Sequence, residues 1–74
     1  MSPRLPTISP KDAVVAFCRS GYVVVGQRGS HVRLQNAAGV VLIIPVHHGD
    51  IKRPLLKALI KDAGMSEGEF RNFI

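Results

Sequence analysis

The sequence predicts an α+β fold of order α-β-β-β-α with a short C-terminal helix, in which a three-stranded antiparallel sheet carries its helices on one face. Three observations lead there. The apolar residues recur at helical spacing near each end of the chain and switch to strand-like runs in the middle. The three strand-like runs are separated by short Gly-containing turns, which join neighbours antiparallel. Each helix has a single apolar stripe, so both need the same sheet face as a partner.

The first element follows an arm, residues 1–8, that reads as extended because it carries Pro3 and Pro6. "SPKD" then starts a helix. Ser9 accepts a bond from a free backbone N–H, Pro10 suits the first helical position and Asp12 suits the positive end of the helix dipole. Ala13, Val14, Phe17 and Cys18 recur at helical spacing, and Gly21 supplies the stop, so the helix covers about Pro10 to Ser20. Cys18, the single cysteine, reads as a structural thiol beside Phe17 and excludes an internal disulfide.

"YVVVGQR" is a β-branched run and reads as the first strand, and Gly29-Ser30 is a hairpin turn signal. "HVRLQN" alternates, with Val32 and Leu34 on one face and His31, Arg33 and Gln35 on the other. "AAG" forms the next turn, and "VVLIIP" is a third strand ended by Pro45. "VHHGD" is a loop. Pro54 sits in the first turn of a second helix that runs to about Ala63 and stops at Gly64, with Leu55, Leu56, Leu59 and Ile60 as its apolar stripe. "SEGE" is a capping box for a last short helix that offers Phe70, Phe73 and Ile74 for packing. This order matches the double-stranded-RNA-binding-domain fold.

Seventy-four residues give one domain, residues 1–74, and 46% hydrophobic content places it with folded rather than disordered chains. So small a core leaves room for oligomerisation or a partner protein to add stability, and a homo-oligomer is one such expectation. Ten Lys and Arg against five acidic residues give a net charge of +5, which favours an anionic partner such as nucleic acid. No apolar run approaches the roughly 20 residues of a membrane span, and the opening residues carry no apolar stretch of signal type. The expectation is a cytoplasmic chain with no membrane partner.

If Val32 and Leu34 face the helices, His31 and Arg33 lie side by side on the open face, about 7 Å apart at the backbone. Such a pair suits a phosphodiester: a guanidinium grips phosphate oxygens, and an imidazole, with an unperturbed pKa of about 6.5, exchanges a proton at neutral pH. RNA supplies its own nucleophile in the 2′-OH, so cleavage asks for a base, a positive group and an acid, and for no cofactor. His31 suits the base, Arg33 the charge, and Lys52, Arg53, His47 or His48 the remaining role. Spacing alone also allows His31 to be an incidental residue beside a turn. Gly29 and Ser30 let a ligand approach the backbone, or are simply an ordinary hairpin. Arg53, Lys57 and Lys61 recur every four residues, either as a solvated helix face or as one that tracks phosphates. His47 and His48 point to opposite sides as neighbours and have only Asp50 nearby, so no metal site is expected.

The chain resembles the HicA family of toxins from bacterial and archaeal toxin–antitoxin pairs, also described as YcfA-like, from Ser9 to Phe73. The resemblance rests on "SGYVVVGQRGSHVRL", "IIPVHHG" and "LLKALIKDAGMSEGEF" in that order. It implies a double-stranded-RNA-binding-like fold, a metal-independent endoribonuclease (an mRNA interferase) and a HicB-type antitoxin that covers the active face. The histidine of the family's G-S-H motif falls on His31, after Gly29 and Ser30. Around it, Arg28, Arg33, Lys52, Arg53, Lys57 and Lys61 are candidate phosphate-binding residues, and His47 follows the family's Pro-x-His loop as a secondary candidate. The chain departs from the family where Pro54-Leu55 replaces a common Gly-Thr pair and removes a capping hydroxyl. Two other functions suit the same fold: a non-catalytic double-stranded-RNA-binding module, and a protein-interaction domain. Neither needs a histidine at position 31.

Overall fold

The computed structural model describes residues 5–74. Its elements are α1 (Pro10–Arg19), β1 (Val23–Arg28), β2 (His31–Gln35), β3 (Val41–Pro45), α2 (Arg53–Asp62) and α3 (Glu67–Arg71). The order is the expected one, and the three strands form an antiparallel meander with β2 in the centre.

The helix starts obey local chemistry. The Ser9 hydroxyl accepts the Asp12 N–H at 3.1 Å, which satisfies one of the donors that the first turn of α1 leaves open. At α3, Ser66 and Glu69 form the full reciprocal box, each side chain accepting the other's backbone N–H at 3.1 Å. The start of α2 differs: its cap is Lys52, which makes no side-chain capping bond, so Pro54 alone favours the turn.

The core lies between the sheet and the helices. Val32 and Leu34 from β2 and Leu42 and Ile44 from β3 are buried in one cluster with Ala13, Ala16 and Phe17 of α1, Leu56, Leu59 and Ile60 of α2, and Phe70 of α3. One strand face therefore serves all three helices, and the alternate residues His31, Arg33, Val41 and Ile43 stay exposed. The Phe17 ring stacks tilted on Phe70 at 4.8 Å and meets Tyr22 edge-on at 6.0 Å.

Two features go beyond the sequence expectation and one, at Leu55, departs from it. Part of the extended arm is core: Leu5 and Ile8 are 2% and 5% exposed. It is also tied down, because the Ile8 carbonyl accepts the Ile51 N–H at 2.9 Å and the Leu5 carbonyl accepts from Arg53 Nε at 3.0 Å. Residues 1–4 of the predicted arm lie outside the described residues. Leu55, placed in the apolar stripe of α2, is 38% exposed, because the buried side of α2 is centred on Leu56, Leu59 and Ile60. Finally, β1 contributes none of its valines to the core. It is an edge strand whose register shifts between Val24 and Gly26, so its pattern is not a clean alternation.

Candidate active site on the open sheet face

The β1–β2 hairpin builds the site. Its two turn residues are Gly29 and Ser30, and Gly29 takes φ +57° while Ser30 stays negative, the pattern of a type II′ turn. Only glycine takes that first position without strain, and a right-twisted hairpin requires it. Two further bonds fix the turn. Gln27 Nε2 donates to the Gly29 carbonyl at 3.1 Å, and the Ser30 carbonyl accepts the Val46 N–H at 2.6 Å. The chain entering β2 is thus held from both sides.

Register then brings the charged groups together. Arg28 and His31 are Cα partners at the closed end of the hairpin, and His31 is also paired with Pro45 on the other side. Arg33, two residues further along β2, is paired with Gly26 and Ile43. Arg28, His31, Arg33 and Ile43 line one cavity of about 440 Å³ on the open face. All three polar side chains are exposed, and none makes a hydrogen bond or ion pair to another described residue. Two guanidinium groups and one imidazole therefore face solvent around a single concavity with an aliphatic wall. Guanidinium groups suit an oxyanion, and an imidazole is a side chain able to give or take a proton.

The remaining basic candidates are elsewhere. Lys52, Arg53, Lys57 and Lys61 are all exposed on or beside α2, in the helix layer. Arg53 also has a structural duty through its bond to the Leu5 carbonyl. Lys52 lines a cavity of about 380 Å³ with Pro45, His47, His48 and Asp50. His47 and His48 sit in the exposed loop after β3, where His47 Nδ1 lies 3.4 Å from the His48 carbonyl. Neither lines the cavity that holds His31. Among the described residues, no three His, Cys, Asp or Glu side chains are grouped to hold a metal ion. No helix among them is long and apolar enough to cross a membrane.

Sequence reasoning placed His31 and Arg33 on one face from alternation alone. It gave no geometric reason to include Arg28, because a two-residue turn must be known to close before its flanking residues become partners. It also missed Ile43 as the wall, which needs the β2–β3 register.

One titrating group lies apart from this face. The Tyr22 phenol is pushed above the ordinary tyrosine range, first by burial and then by the nearby Asp62 carboxylate. Its hydroxyl is buried without a hydrogen-bond partner.

Comparison with known proteins adds one finding. The family model described as the HicA toxin of bacterial toxin–antitoxin matches residues 10–65. No curated protein matches the chain.

Proposed function

The chain belongs to the HicA toxin family, and from that premise we propose that it is an endoribonuclease that cleaves mRNA, with His31 as its general acid–base residue. The observation that carries this reading is the set of three uncommitted polar groups, Arg28, His31 and Arg33, around one open-face cavity. A structural histidine on a strand would be partnered or packed. This one is neither.

The chemistry follows from the substrate. His31 takes the proton of a ribose 2′-OH as that oxygen attacks the adjoining phosphorus. The bond from phosphorus to the 5′ oxygen breaks, the leaving oxygen gains a proton from His31 or water, and a 2′,3′-cyclic phosphate results. Arg28 and Arg33 stabilise the extra negative charge on the phosphate oxygens as the fifth bond forms. His31 is the one imidazole lining the cavity, so in this reading His31 or water handles both proton transfers. Gly29 and Ser30 keep the turn small enough for a backbone phosphate to approach. Lys52, Arg53, Lys57 and Lys61 track more distant phosphates, and His47 plays a secondary part from its neighbouring loop.

The partner in this reading is a HicB-type antitoxin. Val23, Val25, Val41 and Ile43 are 59%, 51%, 42% and 49% exposed on the open face or its edge, an apolar surface beside the cationic cavity. A protein seated there covers His31 and silences cleavage.

The test is expression of the wild-type chain and His31→Ala separately in bacteria, with mRNA integrity followed by sequencing. Growth arrest and fragmented mRNA are expected with the wild type only. Equal toxicity from both proteins, or intact mRNA with both, rejects the catalytic reading.

A further inference from the structure

Toward the other end of β2 from the His31 cavity, the sheet carries a second groove, of about 310 Å³, lined by Gly21, Val23, Val25, Gln35, Asn36 and Ala37. Its floor is aliphatic and its polar content is two amide side chains. Asn36 is already engaged, since its Oδ1 accepts the Val40 N–H at 2.8 Å to close the β2–β3 turn. Gln35 is not: its side chain bonds to no described residue. It is half-buried, and its Cα partners on the two sides are Val23 and Val41, both well exposed.

Resting on the ribonuclease reading, we infer that Gln35 is a base-reading residue, and that the Val23–Gln35 groove holds a nucleobase of single-stranded RNA further along the strand from the scissile phosphate. Position supports this. Gln35 lies on the same strand and face as His31 and Arg33, four residues from the first, or about 13 Å along β2. A strand gripped at its phosphate by Arg28 and Arg33 passes next over Gln35 when it runs along the sheet.

Chemistry decides what the groove does. The rings of Phe17, Tyr22 and Phe70 are buried in the core and Phe73 packs half-buried against it, so bases find no aromatic platform on the open face. Valine side chains hold a base flat without distinguishing one from another. The primary amide of Gln35 offers a donor pair and an acceptor, which matches a base edge with its own donor and acceptor, as in adenine. In duplex RNA the donor–acceptor edge of adenine lies in the deep, narrow major groove, beyond the reach of a flat sheet, so the substrate is single-stranded. The net charge of +5 and the two free guanidinium groups favour this polyanion as the occupant of the groove.

The experiment compares wild type, Gln35→Ala and Gln35→Glu on a pool of randomised single-stranded RNA, with cut sites mapped by sequencing. Binding of short oligonucleotides that differ at one base is measured in parallel by fluorescence anisotropy. The wild type is expected to prefer a base near the cut, and Gln35→Ala to flatten that preference by about tenfold. Gln35→Glu should move the preference toward cytosine, whose amino group donates to a carboxylate. The same preference in all three proteins overturns the inference, as does a uniform loss of cleavage with the preference intact. If the wild type cuts nothing yet binds with a base preference that Gln35→Ala removes, the catalytic reading falls and this one stands. Binding without any base preference overturns it.

Discussion

Arg28 and His31 face each other across a two-residue turn, paired through their Cα atoms at the closed end of the β1–β2 hairpin. This places a fixed positive charge beside the one imidazole that lines the cavity. Strand pairing holds the two in place, because neither side chain leans on a described neighbour.

Replacing His31 by alanine should abolish RNA cleavage and leave folding almost untouched. The side chain is exposed and unbonded, and such substitutions shift stability by roughly 0.5 kcal/mol or less. Cleavage assays paired with thermal unfolding check both halves. A large fall in Tm would show that the histidine is structural.

Arg33→Ala and Arg28→Ala should each lower cleavage on the order of tenfold to a hundredfold, no more than the loss of a dedicated charge-stabilising donor. Lysine at either position should restore part of the binding and less of the rate, since an ammonium lacks the planar fork. Initial rates over a salt series test this, with the alanine variants showing the shallower dependence.

Gly29→Ala should destabilise the hairpin by about 1–2 kcal/mol, through backbone strain alone. The φ of +57° is the cause, since a Cβ built there meets nothing within 4 Å. Denaturant unfolding measures the loss.

Leu5→Ala should cost about 2–5 kcal/mol, the usual penalty for emptying a leucine site in a packed core. In a chain this small, that is most of the stability available. Urea titration of the full chain checks it, and an unfolded variant in buffer is the extreme of the same result.

Stability should fall as pH rises past about 10, the ordinary tyrosine value. Tyr22 has a raised pKa in the folded chain, so between the unfolded and folded values the native state holds a proton that the unfolded state has released. Its contribution is complete below the unfolded value and is lost as pH climbs through the folded one. Tyr22 is the single tyrosine, so phenolate absorbance reports it alone. Tyr22→Phe should remove this part of the alkaline decline, and it leaves no buried hydroxyl without a partner.

Much of the fold was legible where local chemistry is decisive. Ser9 with Asp12, and Ser66 with Glu69, mark their helix starts by capping chemistry that works over three residues. Alternation in "HVRLQ" assigned His31, Arg33 and Gln35 to the open face, because a strand with one buried side has period two. The arm resisted the same treatment. Leu5 and Ile8 show no period, and their burial depends on Ile51 and Arg53, more than forty residues away. The bulge in β1 was equally hidden, since three consecutive valines look the same in any register. The cavity needed pairing across three strands, which no single segment encodes.

The stacking of Phe17 on Phe70 bears on the order of synthesis. The first helix carries one half of that contact, and the other half leaves the ribosome more than fifty residues later. Until then the ring of Phe17 lacks its flat neighbour and the helix layer behind the sheet is unfinished. A nascent chain thus holds its hairpin without a firm backing. The open sheet face gains its full backing only once residue 70 has been made.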